Sequence, residues 1–209
     1  MGFYSQVILP RFMDRTMSDS RLAQYRQEVL SEVSGEVLEI GFGTGLNLAH
    51  YPQTVRQLTA IDANPGMTKI AEKRLKNASI PVENKVINGE KLPIGDRSFD
   101  SVVSTWTLCS IAKVENALDE IYRVLKPGGK FCFIEHGLSE EPNVQVWQHR
   151  LTPLQKLVGD GCHLNRPIQN LVESKFHLVK LERFYAPNVP KTVGYMYKGV
   201  AVKKAQFDG

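Results

Sequence analysis

Three glycines at alternate positions, Gly41, Gly43 and Gly45, end an apolar run, and an acid stands on either side of them. Glu39 lies two residues before the first glycine, and Asp62 lies 21 positions beyond it. Glycines let bare backbone approach a ligand closely, and a carboxylate at the end of the next apolar segment can accept both hydroxyls of a ribose. The chemistry this spacing points to is the seating of a nucleotide-like cofactor. A phosphate-binding loop needs Lys-Ser or Lys-Thr after its glycines, and none follows here. A dinucleotide site needs GxGxxG, and Leu46 stands where its last glycine belongs. The position of Asp62 alone suits a nicotinamide dinucleotide equally well. Glu39 together with GxGxG favours S-adenosylmethionine, which carries an ammonium and a sulfonium and has no pyrophosphate.

These residues need elements to hold them. Some 34 residues of amphipathic helical sequence precede a buried strand over 36–40, and the glycines follow at its end. Helix-forming sequence resumes at Leu46. A second strand over 58–62 stops at Asp62 and runs into Asn64-Pro65-Gly66, a turn that opens a helix through Asn77. Strand patterns recur over 82–88, 98–104 and 130–135. Between the last two, 114–125 has helical spacing and ends at Lys126-Pro127-Gly128-Gly129. This alternation predicts an α/β fold, a doubly wound and mostly parallel sheet with helices on both faces. A helix over 142–158 should be interrupted near Pro153. The segments 176–185 and 194–203 read as strands with no helix between them, so the sheet should end in an antiparallel hairpin.

With these residues in place, the chain resembles the class I S-adenosylmethionine-dependent methyltransferases of the type 11 domain, over about residues 35–137. "VLEIGFGTG" is similar to their glycine motif and "AIDANPGM" to their acidic ribose-binding motif. "NGEKLPIGDRSFDSVV" resembles their adenine loop and fourth strand, and "EIYRVLKPGGKFCFIE" the helix and strand that follow. The resemblance implies a Rossmann-like, seven-stranded sheet with an antiparallel last strand. It implies S-adenosyl-L-methionine as cofactor and S-adenosyl-L-homocysteine as product. It also assigns positions. Gly41, Gly43 and Gly45 would surround methionine and ribose, with Glu39 supporting the loop or meeting the ammonium. Asp62 would hold the ribose, Ala63 and Met67 would flank the adenine, and Asn88, Gly89 and Glu90 would read its polar edge. Ser104 or Thr105 would contact the cofactor through backbone.

The methyl acceptor should lie over the carboxyl ends of the strands. A narrower resemblance bears on it. "TLCSI", "FIEHG", "LVGDGCHLNR" and the ending "KGVAVK" are similar to the methyltransferase-like thiol S-methyltransferases of animals and their bacterial relatives. It implies a small-molecule acceptor, a thiol in the first instance, with Asp160 and His136 as catalytic candidates and Cys109 and Cys162 near the acceptor. Trp106 and Trp147 are further acceptor candidates. Alternatives are N-, C- or O-methylation of a phospholipid or quinone, and a non-catalytic protein that binds S-adenosylmethionine. The N-terminus departs from the animal proteins, which begin with a hydrophobic anchor, whereas "MGFYSQVILPRFMDRTMSDS" is mixed and charged. Residues 1–34 are expected to form a lid with Tyr4 and Arg11 facing the site, 35–137 the cofactor core, and 138–209 the acceptor side, all in one domain.

Composition sets the outer bounds. The 209 residues carry a net charge of +4 with the basic residues scattered, so a nucleic-acid surface is not expected. Cys109, Cys132 and Cys162 are an odd number at wide spacing without a CxxC pair, which predicts neither a disulfide framework nor a metal site. No apolar stretch approaches the ~18 residues of a membrane span. The expected location is cytoplasmic.

Overall fold

The computed structural model describes residues 2–203. The strands are β1 Gly35–Ile40, β2 Val55–Asp62, β3 Val82–Val86, β4 Phe99–Thr105, β5 Leu125–His136, β6 His177–Tyr185 and β7 Tyr195–Val202. They form one seven-stranded sheet in the order β3-β2-β1-β4-β5-β7-β6, in which β7 runs antiparallel to both β5 and β6 and the other pairings are parallel. Because β2 lies on one side of β1 and β4 on the other, the chain reverses its winding between β1 and β4. A crevice opens there at the carboxyl ends of the strands.

Both faces of the sheet are covered, and the strands alternate between two apolar cores. Leu38, Val102, Phe131 and Phe133 face one core with Leu118, Ile121 and Phe176. Val37, Val103, Cys132 and Ile134 face the other with Val29, Leu30 and Ala71. Successive side chains of a strand point to opposite faces, so an unbroken apolar run can satisfy two cores at once. The helices that cover them are α1 Leu9–Met17, α2 Ser20–Leu30, α3 Pro65–Lys76, α4 Val114–Val124, α5 Pro142–Val158, α6 Ile168–Glu173 and the single turn α7 Lys191–Gly194. Local chemistry starts two of them. The Asp19 carboxylate accepts from Arg21 N at the head of α2, and Asn64 Oδ1 accepts from Gly66 N at the head of α3, where Pro65 occupies the first turn.

Several expectations are corrected in detail. The first 34 residues are not one helix but a π-helical turn, Tyr4–Ile8, followed by α1 and α2. After the glycines comes only a 3-10 turn, Leu46–His50. Helix α5 runs unbroken through Pro153, whose ring lies on the exposed side, where solvent can satisfy the carbonyl of His149 that loses its donor. The link between β6 and β7 holds the turn α7, and α6 was not foreseen.

Candidate active site

The carboxyl ends of β1, β2 and β4 surround a cavity of about 380 Å³, within the range of small-molecule sites (~300–1,000 Å³). Its floor is the glycine loop. Gly41 has φ +75°, and a Cβ there would stand 2.0 Å from Thr107 Oγ1, so only glycine lets β1 turn out of the sheet against the end of β4. Gly43 follows at φ +58° with no side chain near the place of its Cβ, and its N–H donates to Asp62 Oδ2 at 2.8 Å. Asp62 Oδ1 accepts from Asn64 N at 2.8 Å. Two backbone donors thus aim the Asp62 carboxylate at the cavity. Its pKa is raised, first by burial, which those hydrogen bonds oppose, and further by the facing charge of Asp160.

Gly41, Gly43, Asp62, Ala63, Met67, Asn88, Gly89, Glu90, Thr105, Trp106 and Asp160 all line this cavity. The arrangement fits the cofactor expected from the glycine motif: a bare backbone floor, a carboxylate at the end of β2, and a polar strip after β3. The Asn88 side chain accepts from Glu90 N and fixes that strip as a turn. At the opposite rim Asp160 sits at φ +49° in the loop after α5, a conformation that Asp tolerates better than most residues. Ser5 Oγ donates to Asp160 Oδ2 at 2.6 Å, which ties the N-terminal turn to the rim.

Other expected site residues are not on the wall. Glu39 is 1% exposed and lies beneath the loop, accepting from Asn47 Nδ2 and Tyr51 Oη at 2.7 Å each. Of the two roles expected for it, the geometry fits support of the loop. Burial pushes its pKa up to about 7. Gly45 turns the chain into the 3-10 segment, and Ser104 points into the sheet to donate to Glu135 Oε1 at 2.8 Å. Glu135, fully buried, also accepts from Thr107 N and Leu108 N and so holds the chain after β4 in place. Tyr4 is turned outward, with Oη donating to Val158 O, and Arg11 donates to Val7 O of the preceding π-helical turn. Trp147 is 54% exposed on α5 beneath the Arg150 guanidinium, neither core nor pocket. His136, Cys109 and Cys162 gather behind the wall, with His136 Nε2 3.0 Å from Cys162 Sγ.

The N-terminal helices meet the cavity through residues that sequence reasoning missed. Leu9, Met13 and Met17 line it, and their spacing of four along α1 was the available signal. Arg26 of α2, buried at 4% exposure, lines it as well and stacks its guanidinium over the Trp106 ring at 4.7 Å.

Comparison with known proteins agrees with this geometry. The methyltransferase domain family matches residues 38–133. The thiol S-methyltransferase TMT1B of Rattus norvegicus is 36% identical over 89% of this chain and 81% of its own length. The thiol S-methyltransferase TMT1A of Homo sapiens is 35% identical over 97% of this chain and 90% of its own. The ubiquinone/menaquinone biosynthesis C-methyltransferase of Bartonella quintana is 30% identical over 74% of this chain and 62% of its own. Among solved structures, the N-methyltransferase NodS of Bradyrhizobium japonicum, in complex with S-adenosylhomocysteine, shares the fold at TM-score 0.68 and 15% identity, over 90% of each chain. The glycine floor, the carboxylate at the end of β2 and these relatives together settle the family: the chain belongs to the S-adenosylmethionine-dependent methyltransferases.

Proposed function

We propose that this enzyme transfers the methyl group to the sulfur of a small thiol. The observation that carries the reading is the reach of the likeness to the two thiol S-methyltransferases, which covers 89% and 97% of the chain and so extends past residues 38–133 into the lid and the acceptor side. The cavity supports it. Leu9, Met13, Met17, Trp106 and Ile111 give its wall an apolar portion suited to an alkyl or aryl thiol, and Asp160 stands at the rim.

Bound S-adenosylmethionine supplies an electrophilic methyl group on a good leaving group, so the protein contributes mostly position and dryness. In this reading the Gly41 to Gly43 backbone seats the methionine and ribose, and Asp62 takes the ribose hydroxyls. Ala63 and Met67 flank the adenine, and Asn88, Gly89 and Glu90 read its edge. Thr105 and Trp106 close the floor at the end of β4, and the segment 2–34 covers the whole as a lid. A thiol with an ordinary pKa near ~8.5 is mostly protonated at neutral pH, so a base adds rate. Asp160 would accept the proton that the thiol loses as its sulfur takes the methyl group and the methyl–sulfonium bond breaks, and Ser5 orients that carboxylate.

An acceptor panel tests the proposal. Labelled S-adenosylmethionine is offered with alkyl and aryl thiols, phosphatidylethanolamine and a demethylated quinol. Thioether product is expected. Label on the quinol ring or the lipid, with none on any thiol, overturns the reading in favour of the acceptor that takes it.

A further inference from the structure

Behind the cavity wall three side chains with soft lone pairs converge from distant parts of the chain. Cys109 comes from the segment after β4, His136 from the end of β5, and Cys162 from the loop after α5. Their ligand atoms all lie within 4.8 Å of one another. Both thiols are free and buried, at 2% and 8% exposure. His136 Nε2 is the ring nitrogen that faces them, at 3.0 Å from Cys162 Sγ, while Nδ1 is buried without a hydrogen-bond partner among the described residues. The sulfur of Cys109 has the Ser110 hydroxyl as a weak partner at 3.5 Å.

The backbone around the three is rigidly pinned. His163 N donates to Cys109 O at 2.9 Å, and the buried Arg166 guanidinium donates to Leu108 O at 2.6 Å and to Ile111 O. The Glu135 carboxylate, next to His136, is held by Ser104 Oγ, Thr107 N and Leu108 N. Two thiolates and an imidazole are the donor set of tetrahedral zinc. With Zn–S of ~2.3 Å and Zn–N of ~2.05 Å, tetrahedral angles place S and S about 3.8 Å apart and S and N about 3.6 Å apart. The 3.0 Å contact between His136 and Cys162 needs to open by only about 0.6 Å to admit the ion.

We propose that Cys109, His136 and Cys162 form a binding site for one soft divalent cation, zinc in the first instance. Each thiol gives its proton to solvent as its sulfur bonds the ion, and the imidazole binds through the Nε2 lone pair. A dication replaces two protons, so the net charge of the buried cluster does not change and no uncompensated charge is buried. Three protein ligands leave the fourth tetrahedral position open to water or a small anion. Ser110 and Ile111, beside Cys109, and Gly159 and Asp160, before Cys162, line the cavity. The ion therefore clamps together the two loops that shape the acceptor wall. Widely separated ligands escape any reading based on short metal-binding spacings, which is why the sequence predicted no metal site.

Cobalt titration of the reduced, metal-stripped full-length protein tests the site without reference to methyl transfer, so its failure leaves the proposed reaction untouched. One equivalent of Co²⁺ should produce thiolate-to-cobalt charge-transfer absorption and tetrahedral visible bands, and one equivalent of Zn²⁺ should abolish both. Cys109→Ser, Cys162→Ser and His136→Gln should each weaken binding by more than the roughly 10–100-fold that an outer-shell partner contributes. Cys132→Ser, whose sulfur lies within the sheet core, should bind the metal as the parent does. Retained S-adenosylhomocysteine binding shows that each variant is folded. Absence of the cobalt bands in the parent, or their persistence in Cys109→Ser and Cys162→Ser, overturns the proposal. Formation of a Cys109–Cys162 disulfide in a protein that takes up no metal once reduced overturns it equally.

Discussion

At the scale of the residue, carboxylates in different surroundings have different tasks. Asp160 stands at the cavity rim with one oxygen bonded to Ser5, and Asp160→Asn keeps both that bond and the tolerance for positive φ while removing the base. We expect kcat with an alkyl thiol to fall by about 10²–10⁴-fold, the usual contribution of a general base. Activity should be largely kept with an acidic aryl thiol that is already ionised, and equal losses on both would remove Asp160 as the proton acceptor. Glu39 is buried beneath the loop with a pKa of about 7 against an ordinary 4.5. Because the folded state holds its proton more tightly than the unfolded state, its contribution to stability is highest below pH ~4.5 and is lost as pH rises towards 7, by on the order of 3 kcal/mol. The Tm of Glu39→Gln, whose amide oxygen accepts from Asn47 and whose amide N–H can donate to Tyr51 Oη, should therefore decline less than the parent's between pH 5 and 8, at about 1.4 kcal/mol per pKa unit. Parallel curves would show that Glu39 does not ionise in this range.

At the scale of the element, the N-terminal segment proposed as a lid is held by specific contacts. Asn64 Nδ2 donates to Ser5 O, and Arg74 reaches both Asp14 and Thr44 O, joining α1, α3 and the glycine loop. The closest approach is at Gly66, where a Cβ would stand 2.0 Å from Gln6 O. That neighbour is backbone and cannot rotate away, so Gly66→Ala forces the Tyr4–Ile8 turn off the head of α3. Calorimetry should show cofactor affinity weakened on the order of tenfold, about 1.4 kcal/mol, with Tm lowered as the displaced turn loses its packing. Unaltered affinity would mean that the lid does not cover the cofactor. Leu9, Met13 and Met17 went unnoticed because their spacing of four describes any surface helix packed on a core. The sequence did not reveal that a cavity, not a core, lies under them, nor that Tyr4 and Arg11 face outward, because that depends on where α3 meets the chain 60 residues away.

At the scale of the whole molecule, the legible part is the part written in local periods. Buried runs such as Phe131–Ile134 and Val37–Ile40, the latter apolar but for Glu39, with glycine at the end of β1 and an acid at the end of β2, specify a doubly wound sheet, because both faces of each central strand must be buried. Gly41, Gly43 and Asp62 were legible from their spacing at the ends of strands, whereas Asn88 to Glu90 were assigned only through the family resemblance; all of them line the crevice. Relations across long separations were not legible. The convergence of Cys109, His136 and Cys162, the stacking of Arg26 on Trp106 and the burial of Glu135 under the segment after β4 arise only when the sheet is assembled. No described helix is long and apolar enough to cross a membrane. The assembled crevice stands or falls with the pairing of the Gly43 amide and the Asp62 carboxylate across β1 and β2, and calorimetric titration of S-adenosylhomocysteine into the parent protein and Asp62→Ala tests it most directly. The parent should bind one equivalent, and Asp62→Ala should bind at least about tenfold more weakly, the ~1.5–3 kcal/mol of hydrogen bonds to a charged group. Equal affinity in the two proteins, or no binding by a folded parent, would contradict the assignment of this cavity to the cofactor.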